Sequence, residues 1–250
     1  MYPAGITDTG RCRANNEDSL FVCGDKFHAL PNLFIVADGM GGHNAGEVAS
    51  LEAVSFFKEF CQKTPLKKNG ILNYLTAGCA YANEKVLDMA EADDSLFGMG
   101  TTFTVCVKNK KKLYIAHIGD SRVYAAYEDR LEQLTDDHTY VYEMRRLGQI
   151  TELEARTHPR RNMLTKVLGV ERGIAFDASV FELTDCLKIL MCSDGLTNML
   201  DDDAIFKQMR GDNEVVARRL VESANENGGT DNITLIVFDA TGTGGDRGAA

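Results

Sequence analysis

Short apolar runs, rich in β-branched and aromatic residues, recur along the chain and are separated by polar or glycine-rich turns. This pattern is typical of strands that are at least half buried. The predicted strands are residues 20–23, 33–37, 101–107, 113–118, 122–127, 130–134, 176–183, 187–192 and 232–238. The runs at 101–107 and 113–118 flank a lysine-rich turn, so they predict a hairpin, and we expect the next two runs to continue it as a meander.

Between these strands the apolar residues follow a helical spacing. They fall on one face of the segment 45–62, which predicts a long helix there. Further helices are predicted at 70–91, 140–147, 151–156, 202–209 and 213–224. Thr151 with Glu154 predicts a capping box, and Asp212 is the predicted N-cap of the last helix.

The order of these elements predicts the fold class. Strands cluster at the start, middle and end of the chain with pairs of helices between them, which favours an α+β fold whose mostly antiparallel sheets are flanked by helices. No stretch resembles an interdomain linker, so residues 1–240 are predicted to form a single domain. The charged, proline-interrupted region 136–169 predicts a mobile insertion, and the low-complexity tail 241–250 is expected to be disordered.

Composition excludes several classes of protein. The formal net charge of −10 argues against a general nucleic-acid role, because binding to duplexes relies on clustered Lys and Arg. There is no run of ~18 apolar residues and no secretory leader pattern, so we expect a cytoplasmic protein without a membrane span. The seven cysteines show no CxxC pair and are expected to be reduced.

Four aspartates lie next to predicted strands in distant parts of the chain. Asp38, Asp120 and Asp194 each follow an apolar run, and Asp231 precedes the last one. Since strand ends gather along one rim of a sheet, we expect these carboxylates to converge in one cleft. Crowded carboxylates are tolerated only where protons or cations cancel their repulsion, and all-oxygen ligand sets favour Mg²⁺ or Mn²⁺. Acids that merely cap turns are the structural alternative.

Two further features suggest how a phosphate would be held. Gly39 begins a glycine-rich stretch, where a backbone carbonyl can turn toward an ion. Arg13 stands five residues before Asp18, so its guanidinium could fork onto two phosphate oxygens while Asp18 faces the ions or their waters. An ordinary charged surface loop is the alternative for this segment.

The ordered set of these motifs closely resembles the metal-dependent serine/threonine phosphatases (the PPM or type 2C family) in their compact bacterial form. The resemblance runs from about residue 6 to residue 238. It implies a four-layer α-β-β-α sandwich with a binuclear Mn²⁺ or Mg²⁺ centre at one end of two antiparallel sheets, and a flap at about 136–169 beside the cleft. It also implies phosphorylated proteins as substrates, a Ser/Thr kinase as counterpart, and a monomer.

The resemblance also implies roles for individual residues. Asp38 matches the bridging metal ligand, Gly39 the carbonyl ligand, Asp194 and Asp231 further ligands, Asp120 with Asp194 a weaker third-metal site, Asp18 an acid that orients water, and Arg13 the phosphate-binding arginine. Many eukaryotic relatives carry a histidine, the proposed proton donor, where this chain has Met40. His43 is the candidate donor here, with a water as the alternative.

Two cations that share Asp38 would lower the pKa of a bridging water from ~15.7 to near neutrality, so no side-chain nucleophile is needed. The expected reaction is therefore direct attack of that water on phosphoserine or phosphothreonine. A serine nucleophile is disfavoured because no motif places a base. Two alternatives stay open at this stage: a metal-dependent hydrolase of small phosphoesters, and a catalytically silent scaffold of the same fold.

Overall fold

The computed structural model describes residues 2–42, 45–67 and 70–240, and for residue 156 the backbone alone. His43 and the predicted tail 241–250 lie outside these residues. The strands are β1 (Ala4–Asp8), β2 (Asp18–Cys23), β3 (Leu33–Met40), β4 (Gly100–Thr101), β5 (Phe103–Asn109), β6 (Lys112–Ile118), β7 (Arg122–Ala126), β8 (Leu131–Gln133), β9 (Asp177–Glu182), β10 (Lys188–Cys192) and β11 (Ile233–Asp239). The helices are α1 (Ala45–Lys63), α2 (Gly70–Ala92), α3 (Tyr140–Arg146), α4 (Glu152–Thr157), α5 (Asp194–Thr197), α6 (Asp202–Phe206) and α7 (Asn213–Glu226).

The strands form two sheets, and every pairing among the described residues is antiparallel. One sheet has the order β1-β11-β10-β7-β8. The other has the order β2-β3-β5-β6-β9, and the two-residue strand β4 pairs with the end of β3. The predicted α+β class with two antiparallel sheets is confirmed.

Three apolar clusters show that the fold has four layers. One cluster joins α1 and α2 to the β2-β3-β5-β6-β9 sheet, and Phe57 and Phe103 meet in it. A second fills the space between the sheets, where Phe34 stacks on Phe238 with ring centroids 4.1 Å apart. The third joins α7 to the β1-β11-β10-β7-β8 sheet. In the described part of the chain, no helix is both long enough and apolar enough to cross a bilayer.

Several local predictions agree with the structure. Thr151 and Glu154 form the predicted capping box of α4, and the Asp212 side chain accepts from the Glu214 amide at the start of α7. Helix α6 is shorter than predicted and ends at Phe206. The predicted hairpin of β5 and β6 is present and turns at Lys110, whose φ is 56°.

The predicted meander is only partly correct: β7 and β8 pair with each other as expected, but β7 does not pair with β6. After β6 the chain crosses to the other sheet, where β7 pairs with β10 and β8, while β9 takes the place beside β6. The crossing occurs at Gly119, whose φ of 107° only glycine adopts readily. Alternating apolar residues have the same period in both sheets, so the sequence pattern does not show which sheet a strand joins.

Strand β3 also runs further than predicted. We expected a turn from Asp38 onward, but β3 continues to Met40 because Gly39 pairs with Thr101 and Met40 pairs with Gly100. Side chains alternate along a strand, so Asp38 and Met40 project from the same face. The acid therefore lies on a paired, rigid part of the sheet.

Candidate active site

Asp38 is held through its backbone. Its amide donates to Thr102 Oγ1 at 2.9 Å, and its carbonyl accepts from the Thr102 amide and from Thr101 Oγ1, each at 2.9 Å. In the sheet register Asp38 lies directly opposite Asp18 of β2. Opposed residues have Cβ atoms only ~5 Å apart, and like charges in such a pair are unfavourable. This juxtaposition therefore requires a compensating proton or cation.

Gly39 lies where no larger residue fits without movement. A Cβ atom built there would come within 2.0 Å of the Gly46 carbonyl oxygen and 2.5 Å of the Glu17 carbonyl oxygen. The Gly39 amide donates to that Glu17 oxygen at 3.1 Å. The start of α1 and the end of the 9–17 loop thus pack directly onto the backbone beside Asp38.

Asp18 is buried, and only one of its two carboxylate oxygens has a hydrogen-bond partner. Its Oδ2 accepts from Ser193 Oγ at 2.7 Å, whereas Oδ1 is buried and has no hydrogen-bond partner. Burial raises the pKa of Asp18 to about 7, against the lowering effect of hydrogen bonds from Thr234 and Ser193. An unpaired buried carboxylate oxygen is costly, and a cation or an ordered water would satisfy it.

Asp194 is the first residue of α5, immediately after β10. Its Oδ2 accepts from Asn198 Nδ2 at 2.9 Å. Gly195 allows the close approach of α5 to the last strand, since a Cβ there would lie 1.9 Å from the Asn232 carbonyl oxygen. This packing brings Asp194 toward Asp231, and both the surrounding protein and the Asp231 charge raise the pKa of Asp194.

Asp120 joins the cluster from the corner after β6. Its pKa is raised well above the usual value by burial and then by the charges of Asp194 and Asp137. Arg122 opposes this shift and is itself fixed by a two-pronged bond to Asp137, from Nε to Oδ1 at 2.8 Å and from Nη2 to Oδ2 at 2.6 Å. Asp120 is therefore influenced both by neighbouring carboxylates and by a fixed cation.

Together these aspartates form an anionic, all-oxygen cluster. Burial raises the pKa of Asp38 well above its usual value, and the charges of Asp18, Asp194, Asp120 and Asp231 add to the shift. In the absence of cations, protons thus reduce the repulsion.

The carboxylates are not arranged as the ligands of a metal ion in this structure. Across residues 2–42, 45–67 and 70–240, no three His, Cys, Asp or Glu side chains are already arranged to hold a metal. Instead, protein groups donate hydrogen bonds to one oxygen of Asp18, one oxygen of Asp194 and both oxygens of Asp231. The oxygen donors, the unpaired Asp18 Oδ1 and the raised pKa values nevertheless fit a hard divalent cation.

Arg13 lies at the rim of the same cluster. Its Nη2 donates to Asp231 Oδ2 at 2.8 Å, and about half of its side chain is exposed. Arg13 therefore lies beside the carboxylates, and its partner there is the Asp231 carboxylate. The other predicted site residue, His43, lies outside the described residues, and its role as proton donor stays a prediction.

Sequence reasoning missed Asn232, which organises the Arg13 loop. Its Nδ2 donates to the Thr9 and Asn15 carbonyl oxygens, each at 2.9 Å, and its Oδ1 accepts from the Glu17 amide at 2.8 Å. One buried amide thus connects both ends of the loop to the residue that follows Asp231. The only sequence signal was its place beside Asp231.

Two cavities meet at the cluster. One of about 700 Å³ contains Arg13, Asp38 and Asp231. The other, of about 610 Å³, extends between α3 and α5, and Asp120 and Asp194 line both cavities. The carboxylates therefore form the floor of a long cleft and are accessible to a ligand larger than a phosphate ion.

Comparison with known proteins shows the family of the chain. Residues 11–226 match the model of the protein phosphatase 2C family. The chain is 40% identical to the serine/threonine phosphatase stp of Listeria welshimeri, with 96% of each chain covered. The crystal structure of the serine/threonine phosphatase Stp1 from Staphylococcus aureus superposes with a TM-score of 0.89 at 34% identity, over 96% of this chain and 95% of that one.

A further solved structure, the catalytic domain of the phosphatase PstP in complex with two manganese ions, gives a TM-score of 0.82 at 33% identity, with 95% of this chain and 96% of that chain covered. The chain therefore belongs to the protein phosphatase 2C family. It is a metal-dependent protein serine/threonine phosphatase, as the motifs predicted.

Proposed function

We propose that the chain hydrolyses phosphoserine and phosphothreonine in proteins at the aspartate cluster. The observation that carries this proposal is the convergence of carboxylates from four distant segments on one cleft floor, with the buried Asp18 opposite Asp38 and Arg13 at the rim. Support comes from the relatives, which are named serine/threonine phosphatases, and from the PstP domain, which binds two manganese ions.

The residues that would hold two Mn²⁺ or Mg²⁺ ions are those predicted from the sequence. We assign Asp38 to both ions, Asp194, Asp231 and the Gly39 carbonyl to the core site, and Asp120 with Asp194 to a third, weaker ion. When bound, such ions supply a water of lowered pKa and neutralise phosphoryl charge.

The other groups of the site bind and orient. Arg13 has further guanidinium N–H groups beyond the one bonded to Asp231, and these form a fork suited to two phosphoryl oxygens. The unpaired Asp18 Oδ1 is the acceptor that would orient the attacking water once the ions are bound. Ser193 holds Asp18 in that position.

The leaving alcohol needs a proton. Met40, on the same face of β3 as Asp38, has no proton to give. We therefore keep His43 as the proposed donor, with a water as the alternative. A pH profile of kcat for His43→Ala tests this choice, because loss of the donor removes the basic limb of the profile.

We further propose that residues 1–240 form one catalytic domain and that 136–169 act as a flap over the cleft. The ends of this insertion are bonded to each other, since the Tyr140 amide donates to the Met163 carbonyl oxygen and the Thr165 amide donates to the His138 carbonyl oxygen, each at 2.8 Å. Because its two ends are joined in this way, the insertion can act as a separate flap.

The cellular setting is also part of the proposal. We infer that the enzyme works as a cytoplasmic monomer in bacterial signalling and reverses the action of a Ser/Thr kinase on phosphorylated proteins. The names of the bacterial relatives support the choice of substrates. Gel filtration with light scattering tests the oligomeric state.

Metal-dependent turnover of a phosphoserine peptide tests the activity. We expect hydrolysis with Mn²⁺, none with chelator, and none by Asp38→Ala or Asp231→Ala. Asp203→Ala is the matched control, because Asp203 is exposed on α6 and lies outside the cluster. Full turnover by Asp38→Ala, with unchanged demand for metal, would refute the assigned site.

A further inference from the structure

The 700 Å³ cavity is lined by two chemically different sets of residues. The polar set contains Arg13 and the carboxylates. The apolar set consists of side chains that we call the apolar shelf: Met40, Met163, Val167, Val170 and Ile174. Met163 and Val170 are each 51% exposed, and Met40 is 38% exposed. An exposed apolar patch rimmed by polar groups marks a binding surface.

The shelf begins directly beside the reacting centre. Met40 follows Asp38 by two residues on β3, so both side chains lie on the same face. Met40 pairs with Gly100 of β4, and the neighbouring Thr101 forms a bridge to Leu168. The segment that carries Val170 therefore lies two strand spacings, or ~10 Å, from β3.

The far part of the shelf is built rigidly. Gly100 allows close packing, since a Cβ there would meet Val170 Cγ2 at 3.1 Å. The Gly169 amide donates to Asn83 Oδ1 at 2.8 Å, and Asn83 Nδ2 donates to the Glu171 carbonyl oxygen at 2.9 Å. Hydrogen bonds on both sides of Val170 thus fix the backbone to α2. The fixed backbone keeps the Val170 side chain exposed.

Arg172 strengthens this anchor. Its guanidinium bonds to Glu84 at 2.8 Å and to Asp88 at 3.0 Å, and it also pairs with Glu91. All three acids belong to α2. The part of the shelf around Val170 is therefore preformed, and a ligand that covers it does not have to order it first.

We propose that the apolar shelf binds an apolar side chain of the substrate, two or three residues away from the phosphorylated one. This proposal rests on the proposed phosphoprotein phosphatase activity and adds a substrate preference to it. An extended peptide advances ~3.4 Å per residue, so a side chain three residues away spans the ~10 Å between Asp38 and the segment of Val170. A small phosphoester does not span the distance to the Val170 part of the shelf.

A peptide panel tests the preference. Phosphoserine peptides that differ only in carrying Leu or Ser at one position, from three residues before the phosphoserine to three after it, are compared by kcat/KM with Mn²⁺. We expect Leu to raise kcat/KM by about tenfold at one position, or two adjacent ones, on one side of the phosphoserine, an effect of the size that partial burial of one leucine gives.

Variants then locate the effect. Val170→Ser and Met163→Ser should reduce the Leu-over-Ser ratio to below about threefold, because they remove apolar contact area. Both residues are half-exposed, so their substitution leaves the core intact. The matched control is Val215→Ser, since Val215 is 55% exposed on α7 and lies outside the cavity. That variant should keep the wild-type ratio.

The outcomes separate the two proposals. Equal kcat/KM for all peptides, or a Leu preference that Val170→Ser and Met163→Ser leave unchanged, would overturn the shelf while leaving the phosphatase activity standing. Hydrolysis of p-nitrophenyl phosphate without hydrolysis of any peptide would overturn the protein phosphatase proposal and the shelf with it.

Discussion

Arg13 Nη2 lies 2.8 Å from Asp231 Oδ2, so the residue assigned to the phosphate is ion-paired with a residue assigned to the metal. The Arg13 side chain is 49% exposed and that of Asp231 is 28% exposed, and such pairs contribute at most about 1 kcal/mol to stability. The pair can therefore open at low cost when a phosphoryl group or a cation competes for either partner.

This relationship predicts the effect of removing Arg13. Arg13→Ala should raise KM for a phosphopeptide about tenfold or more, since a charged hydrogen bond contributes about 1.5–3 kcal/mol, while kcat changes less. Steady-state kinetics at saturating Mn²⁺ measures both constants. Arg11→Ala is the control, because it removes the same charge from the same exposed loop, and its KM should stay near that of the wild type. An unchanged KM in Arg13→Ala would remove its assigned role.

Asn232 should act through Arg13. Because its amide holds Thr9, Asn15 and Glu17, we expect Asn232→Ala to raise KM by about threefold to tenfold, the effect of losing one or two hydrogen bonds. In a double-mutant cycle, the KM of the variant that carries both substitutions should match the KM of Arg13→Ala within about twofold.

A hydrogen-exchange measurement and a control variant support that cycle. Hydrogen exchange of the metal-free protein should be faster across residues 9–17 in Asn232→Ala. Asn213→Ala is the control, since Asn213 is an equally buried asparagine that bonds to the Tyr2 carbonyl oxygen far from the loop. Additive effects of Arg13→Ala and Asn232→Ala would show that Asn232 stabilises the fold without positioning Arg13.

Cation binding should release protons. The pKa of Asp18 is raised to about 7 and that of Asp38 is raised well above its usual value, chiefly by burial. Protons therefore compete with cations, and Mn²⁺ affinity should fall about tenfold or more from pH 8 to pH 6. Calorimetry in buffers of different ionisation enthalpy counts the protons, and Asp18→Asn should release fewer. Affinity that is independent of pH would contradict the raised pKa values.

The cluster also predicts how stability responds to metal and pH. A carboxyl whose folded pKa is raised adds stability at low pH, and this contribution is lost as the pH rises through the folded pKa. For Asp18 the window extends from about pH 4 to about pH 7. Mn²⁺ should therefore raise Tm more at pH 8 than at pH 6, which thermal unfolding with and without chelator measures.

His117 should make stability sensitive to acid in the opposite direction. It is buried in β6, bonded to Thr104 Oγ1 at 2.9 Å and to the Asp136 carbonyl oxygen at 3.2 Å, and burial lowers its pKa to about 4. The unfolded chain takes up this proton at about pH 6.5, so the contribution of neutral His117 is lost as the pH falls from 6.5 to 4. The full loss is about 3 kcal/mol.

Urea unfolding of the metal-free protein at pH 5 and pH 7 tests this contribution. The difference between the two unfolding free energies should be smaller in His117→Gln than in the wild type, because glutamine at position 117 does not take up a proton in this range. Equal differences in the two proteins would show that other groups cause the loss of stability between pH 7 and pH 5.

The sequence predicted local features well because local physics determines them. Glycine after Asp38, the cap at Thr151 and the helical spacing of α1 each depend on residues within a few positions. The grouping of the aspartates was predictable because strand ends share a rim. These features sufficed to predict both the family and the chemistry of the cleft.

Long-range relationships were beyond the sequence pattern. The register of β2 and β3 determines that Asp18 faces Asp38. The crossing of β7 into the sheet that contains β10 depends on which sheet edge is free. The role of Asn232 depends on bonds to residues more than 200 positions away. Period and propensity are the same in each alternative, so only the assembled structure distinguishes them.

The central claim is that the aspartate cluster holds two divalent cations. Anomalous diffraction at the manganese edge, from crystals grown with Mn²⁺, tests it directly. We expect two strong peaks that both contact Asp38, one of them also within reach of Asp194 and Asp231, and no such peaks for Asp38→Ala. A wild-type map without anomalous density among these carboxylates, from crystals that turn over substrate, would contradict the account.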